Sequence, residues 1–319
     1  MEPLPPSDLK AILHSKRANI YYLEMCRVLQ KDGRVLFLSE NNKTNAYWNI
    51  PIANTTCILL GIGTSITQAA VRMLASAGVL IGFSGSGATP LLMGTEIEWM
   101  TPQSEYRPTE YLQGWMGFWF EDHKRLIVAK NFQIMRVEYI HNTWKSDKDL
   151  KSENVFIGDI NKSLEKYKIE IMKARSVSEL LQLEARFTKK LYKYMAILTS
   201  QTSFVRERES TDKANIFLNH GNYLAYGLAA TTTWVLGIPH AFAVMHGKTR
   251  RGALVFDVAD LVKDAIVLPW SFICAKENMS EQDFREQIIQ KFTQFKSLDF
   301  MFNSVKTMAL NQKWEDFPL

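Results

Sequence analysis

Apolar and polar positions run in short strand-like blocks over the first hundred residues, and then the period lengthens. Residues 18–24, Ala-Asn-Ile-Tyr-Tyr-Leu-Glu, are rich in β-branched and aromatic side chains, which suit a pleated surface. Residues 26–30 and 34–38 are apolar runs on either side of Lys31-Asp32-Gly33. Asp-Gly between two such runs is the strongest short-range hairpin signal. Residues 48–52 and 56–60 read as further short strands. Ile66, Ala69, Ala70, Met73 and Leu74 then recur at helical spacing, which predicts a helix capped by Thr64 or Ser65, running to about Ala77 and stopped by Gly78. Residues 79–83 form a buried strand, and the Gly/Ser-rich stretch 84–90 a loop.

From about residue 105 the strand signals mostly vanish. A long helical pattern covers 109–140, with Trp115, Phe118, Trp119 and Phe120 near its start. The charged stretch 144–154 reads as a loop. Residues 163–173, 176–197, 212–236, 257–272, 280–295 and 297–310 all read as helices. The expected fold class is α+β: a small β-rich N-terminal domain with one helix (1–104), joined to a larger all-α domain (105–319). The boundary falls where Pro102 and Pro108 punctuate the chain.

Composition narrows the class without deciding it. The chain has 319 residues, 46% of them apolar, enough for packed cores in two domains. A net charge of +5, from 38 basic and 33 acidic residues, permits nucleic-acid contacts through local patches and does not demand them. Cys26, Cys57 and Cys274 are odd in number and far apart, so neither a zinc ribbon nor a disulfide framework is indicated, and a reducing cytoplasm fits best. The N-terminus lacks a signal-peptide pattern, and the most apolar stretch, 57–83, is broken by Gln68, Arg72 and several Gly and Ser, so no membrane span is expected.

The densest chemistry lies between His246 and Asp260, where an imidazole, Lys248, Arg250, Arg251 and two carboxylates fall within fifteen residues. Asp257 and Asp260 are three apart, so on a helix they share a face, one turn from each other. Their repulsion calls for solvent, a basic partner or a divalent cation. A solvated helix N-terminus, with acids placed to suit the dipole, accounts for the same spacing equally well. Upstream, Glu184 lies beside a stripe of Arg186, Lys189, Lys190 and Lys193. The stripe reads either as a surface helix with i,i+4 pairing or as an acidic ligand with basic neighbours for phosphates. His220, Tyr226 and His240 read as packing residues, and the six-residue gap from His240 to His246 is poor spacing for a paired-histidine site. Arg206, Arg208, Lys213, Lys248, Arg250 and Arg251 are the cations placed nearest to DNA. Gly61-Ile-Gly63 between strand and helix is similar to a dinucleotide loop, but Ile66 occupies the third glycine position, and a tight turn explains both glycines.

The segment from Ser65 to Phe83, Leu180-Leu-Gln-Leu-Glu184, Met245-His246-Gly247 and Phe256-Asp257-Val-Ala-Asp260, in this order, resembles the CRISPR adaptation integrase family, Cas-one. The likeness spans about residues 18–272, and Trp115–Phe120 with 219–272 look most like the type I-F (Ypest) branch. It implies that Glu184, His246 and Asp260 hold a divalent metal, with Asp257 as an accessory acid or ligand. It also implies a homodimer paired through the β-domain, binding to the small Cas-two subunit (fused in type I-F to the Cas-three helicase-nuclease), and insertion of prespacer DNA into the CRISPR repeat. The Arg-Pro pair that the family often carries after its Asp pair is replaced here by Lys263-Asp264 and Leu268-Pro269.

A metal-dependent integrase of this kind would direct the 3′-OH of a prespacer strand at a phosphodiester of the CRISPR repeat. Carboxylates with one imidazole suit Mn²⁺ or Mg²⁺, and the softer nitrogen favours Mn²⁺. Lys189, Arg206, Arg208, Lys248, Arg250 and Arg251 are the expected DNA contacts. The alternatives are a structure-specific DNA endonuclease using water at the same site, a non-catalytic DNA-binding scaffold and, more distantly, a nicotinamide oxidoreductase.

Overall fold

The computed structural model describes Arg17 and residues 19–39, 46–85, 97–102, 109–156, 158–207, 211–247 and 252–311. The strands come first: β1 (Asn19–Leu23), β2 (Cys26–Lys31), β3 (Arg34–Ser39), β4 (Ala46–Ile50), β5 (Thr55–Leu60), β6 (Ser65–Ile66), β7 (Leu80–Phe83) and β8 (Glu98–Met100). Helix α1 (Gln68–Ser76) lies between β6 and β7. The strands form two four-stranded sheets, ordered β1-β5-β7-β8 and β4-β3-β2-β6. In the β2–β3 hairpin Lys31 faces Arg34. Asp32 and Gly33 between them have φ of 50° and 71°, the doubly positive turn that Asp-Gly favours.

Strand β5 runs parallel to both β1 and β7 and is buried along its whole length. Its alternation faces two cores. Cys57 and Leu59 point into the helical core, whereas Ile58 and Leu60 join Val28, Val35 and Leu74 beneath the second sheet. The first helix starts later than its expected cap. Residues 65–66 pair with Arg27 and Val28 as β6, and Thr67 caps α1 by accepting from the Ala70 amide at 3.3 Å. Strand pairing with β2 thus overrides the local capping preference. Strand β8 had no sequence signal, and residues 103–108, where the domain boundary was expected, lie outside the described residues.

Helices follow: α2 (Glu110–Trp119), α3 (Asp122–Ser146), α4 (Lys148–Ser152), α5 (Gly158–Lys173), α6 (Val177–Leu198), α7 (Lys213–Val235), α8 (Ala253–Lys276), α9 (Glu281–Gln294) and α10 (Ser297–Leu310). Ser176 and Asp212 cap α6 and α7 by accepting from the Glu179 and Asn215 amides. The pattern expected as one helix over 109–140 divides at Phe120 and Glu121. Glu121 is extended, which places Asp122 in the first turn of α3, where a carboxylate suits the helix dipole. The loop expected over 144–154 contains the end of α3 and all of α4. Two of its carboxylates meet a buried cation from α9: Lys291 Nζ donates to Asp147, itself buried, and to Asp149 at 2.7–3.0 Å.

Helix α8 begins four residues before the expected start and continues through Pro269. Proline offers no N–H to the carbonyl four residues back. That carbonyl, of Ala265, instead accepts the indole N–H of buried Trp144 at 2.9 Å. Helix α8 is almost wholly buried and packs against α3, α6, α7, α9 and α10. Among the described residues no helix is long and apolar enough to cross a membrane.

Candidate metal centre

Helix α8 presents Asp257, Asp260 and Asp264 at successive turns, and all three are buried. The irregular segment after α7 carries His246, and α6 carries Glu184. Asp257 accepts from four donors. Its Oδ2 takes the amides of Val244 and Met245 at 2.6 and 3.1 Å. Its Oδ1 takes the amide of His246 at 3.1 Å and faces His246 Nδ1 at 2.7 Å. These contacts occupy the carboxylate. Asp257 fixes the ring, and Nε2 is turned the other way, the arrangement in which carboxylates orient metal-binding histidines.

Nε2 of His246 lies 3.9 Å from Glu184 Oε2 and 4.0 Å from Asp260 Oδ2. One donor atom from each residue falls within 4.8 Å of the other two. Metal–oxygen bonds of about 2.1 Å would need these donors to close in by about 1 Å. The chemistry of the set fits a divalent ion. Both oxygens of Asp260 are buried without a hydrogen bond among the described residues. Lys263 forms an ion pair with Oδ1, outside hydrogen-bond geometry. Lys263 offsets part of the charge at Oδ1, and Oδ2 is the oxygen turned toward His246, where a cation between the three residues would be held.

Behind the donors lies Arg136 of α3, 1% exposed. Its Nε donates to Asp264 Oδ2 at 2.9 Å, and one terminal nitrogen makes a second contact to the same oxygen. The other terminal nitrogen donates to Glu184 Oε1 at 2.9 Å. Gln133 Oε1 accepts from that same nitrogen at 3.2 Å, and Thr188 Oγ1 accepts from the nitrogen that contacts Asp264 at 3.0 Å. Glu184 is therefore held from one side and left with Oε2 facing His246. Burial opposes the charge on Arg136 and on Lys263, but the surrounding acids, Asp264 and Asp260 foremost, raise both pKa values well above normal. Burial likewise disfavours the His246 cation, yet the hydrogen bond to Asp257 and the charges of Asp260 and Glu184 prevail and raise its pKa.

The other expected site residues are placed unevenly. Arg206 is occupied: it donates to the side chains of Asn215 and Asn219 at 2.9 and 2.7 Å and to Glu207 O at 3.0 Å, fastening its loop to α7. Lys189 is exposed, about 140° round α6 from Glu184, so the basic stripe and the acidic donor face different ways. Arg208, Lys248, Arg250 and Arg251 lie outside the described residues. Tyr226 packs edge-on against Phe256 at 4.8 Å. At Gly61 an added Cβ would lie 2.5 Å from Glu24, and Gly63 has φ +65°, so packing and turn geometry account for both glycines. Sequence reasoning missed Arg136, Asp264 and Gln133. The available signal was positions 129, 132, 133, 136, 137 and 140 of α3, which share its buried side. A guanidinium there requires buried acids.

The chain is 52% identical over 324 residues to the CRISPR-associated endonuclease Cas1 of Pseudomonas aeruginosa, covering 97% of this chain and 98% of that one. It is 52% identical over 313 residues to the Cas1 of Pectobacterium atrosepticum, covering 95% and 96%. Among solved structures, the fold matches that of a TtCas1–DNA complex with a TM-score of 0.68 and 20% identity, over 92% of each chain. The sequence model of the family described as CRISPR associated protein Cas1 matches residues 20–291, and this chain belongs to that family.

Proposed function

We propose that this chain is a metal-dependent DNA integrase of CRISPR adaptation, which joins prespacer 3′-OH ends to the CRISPR repeat by transesterification. One observation carries the reading: Glu184, His246 and Asp260 converge one donor atom each within 4.8 Å of one another, with Asp260 Oδ2 buried and without a hydrogen bond among the described residues. A bound Mn²⁺ or Mg²⁺ would neutralise phosphate charge and assist the attacking and leaving oxygens. The residues prepare that site. Asp257 keeps Nδ1 of His246 occupied, so Nε2 is the nitrogen available as a ligand. Arg136 holds one oxygen of Glu184 and leaves the other free. The imidazole tilts the preference toward Mn²⁺.

The substrate is DNA, consistent with the DNA complex of the structural relative. The homodimer through the β-domain and the Cas-two partner, fused to the Cas-three helicase-nuclease, follow from the family likeness. The second reading is a structure-specific endonuclease using water, favoured by the name the closely similar relatives carry. A branched DNA that mimics a half-integrated product separates the two. Rejoining of the parent strand with Mn²⁺, lost in chelator and in His246→Ala, supports the integrase. Hydrolysis without rejoining supports the endonuclease, and metal-independent behaviour removes both.

A further inference from the structure

The segment from Phe242 to His246 is irregular, yet its backbone is fastened at every residue. Trp115 Nε1 donates to Phe242 O at 3.0 Å, and Trp119 Nε1 donates to Ala243 O at 2.7 Å. The next three amides all end on Asp257. The Met245 sulfur accepts from Gln133 Nε2 at 3.1 Å. Two consecutive carbonyls are thus tied to α2, and three consecutive amides to α8. Phe242 packs edge-on against Trp119 at 4.9 Å, which adds an apolar contact beside the hydrogen bonds.

We propose that Trp115 and Trp119 are positioning residues for His246, holding the segment so that Nε2 stays in register with Glu184 and Asp260. The proposal rests on the metal-site reading above. The four contacts to Asp257 fix residues 244–246, and the Leu254 amide holds His240 O at 2.9 Å. The two indole bonds fix the carbonyls of the residues between, Phe242 and Ala243. Indole burial alone does not explain them. Trp270 is buried in the same core with no hydrogen-bond acceptor for its N–H among the described residues, so burial of an indole does not by itself bring one. Two N–H groups placed on successive carbonyls of the ligand-bearing segment are a constraint on that segment. The donors of the site are 3.9 and 4.0 Å apart and must draw together to hold an ion, so slack in one of them is costly.

The test separates ring from N–H. Trp119 is replaced by β-(3-benzothienyl)alanine, which keeps the bicyclic shape and exchanges N–H for sulfur. Trp115→Phe and Trp119→Phe accompany it. Tyr139→Phe is the control: it removes a buried hydroxyl that bonds Phe295 O at 3.1 Å and Ser297 Oγ at 2.8 Å, in a turn that carries no ligand. Mn²⁺ binding is followed by electron paramagnetic resonance. The isostere is expected to bind Mn²⁺ about tenfold more weakly, in the range typical of lost outer-shell partners, while Tyr139→Phe stays within about twofold. A second readout needs no metal: the imidazole N–H signal of His246, hydrogen-bonded to Asp257, should broaden and exchange faster in the isostere. Wild-type Mn²⁺ affinity with an unchanged imidazole signal would overturn the proposal. If wild-type protein binds no Mn²⁺, the metal reading fails, and the imidazole signal still decides the positioning role.

Discussion

Arg136→Met is the perturbation whose consequence follows most directly from the structure. The guanidinium is 1% exposed and stands between Asp264 and Glu184, whose side chains are 4% and 13% exposed. Within the same pocket lie the carboxylates of Asp257 and Asp260, balanced by Arg136, Lys263 and the His246 ring. Methionine fills much of the volume but leaves Asp264 without its two guanidinium contacts and Glu184 without one. Removing one partner of a buried pair costs about 3–5 kcal/mol, because the remaining charge is stranded in a poorly solvated site. Asp264→Asn alone leaves the guanidinium with Glu184 and costs less. The double variant removes both opposed charges and should recover about 2 kcal/mol of the loss as coupling. Urea unfolding, followed by circular dichroism and tryptophan fluorescence on all four proteins, gives the cycle. A loss below about 1 kcal/mol in Arg136→Met, with no coupling to Asp264, would refute the reasoning.

Three further outcomes are expected. Burial, with the nearby Arg285 cation, lowers the pKa of His220 from 6.5 to about 4 against a smaller opposing pull from Glu24. The native state therefore takes up this proton at lower pH than the unfolded chain, and stability held above pH 6.5 declines as pH falls toward 4, by about 3 kcal/mol at the limit. Urea midpoints at pH 7.5 and 4.5 should converge in His220→Asn relative to wild type, and parallel pH profiles would contradict this. Trp144→Phe should cost about 1–3 kcal/mol by leaving the Ala265 carbonyl, already released by Pro269, without a donor. Trp270→Phe, whose indole N–H has no acceptor, should cost less in the same unfolding assay, and equal losses would argue against the Pro269 account. Asp257→Asn should weaken Mn²⁺ binding about 10–100-fold while the far-ultraviolet spectrum is kept, and an unchanged affinity would remove Asp257 from the orienting role.

Local chemistry made much of the fold readable. Asp32-Gly33 announced its hairpin because few residue pairs accept two positive φ angles in succession. Ser176 and Asp212 announced the starts of α6 and α7, because each supplies the side-chain acceptor that a first turn lacks. The Asp257–Asp260 spacing placed both acids on one side of a helix. What stayed hidden depends on tertiary placement. The break between α2 and α3 follows Trp115 and Trp119 into contact with the 242–243 backbone, more than a hundred residues away in the chain. Helix α4 looked like a solvated loop because its cap, Asp147, and its first-turn Asp149 find Lys291 only in the fold. The different tasks of Asp257 and Asp260 were equally hidden. One takes four hydrogen bonds, whereas the other is paired with Lys263 through Oδ1 and turns Oδ2 toward His246, and nothing in Asp-Val-Ala-Asp distinguishes them.

The central claim is that Glu184, His246 and Asp260 form one divalent-metal site. A Mn²⁺ titration of the purified protein, read by electron paramagnetic resonance and repeated on Glu184→Gln, His246→Ala and Asp260→Asn, tests it most directly. The account predicts one tight ion per chain, lost in each of the three variants while helical content is preserved. Tight binding that survives all three substitutions, or no binding by wild type at millimolar Mn²⁺, would contradict it.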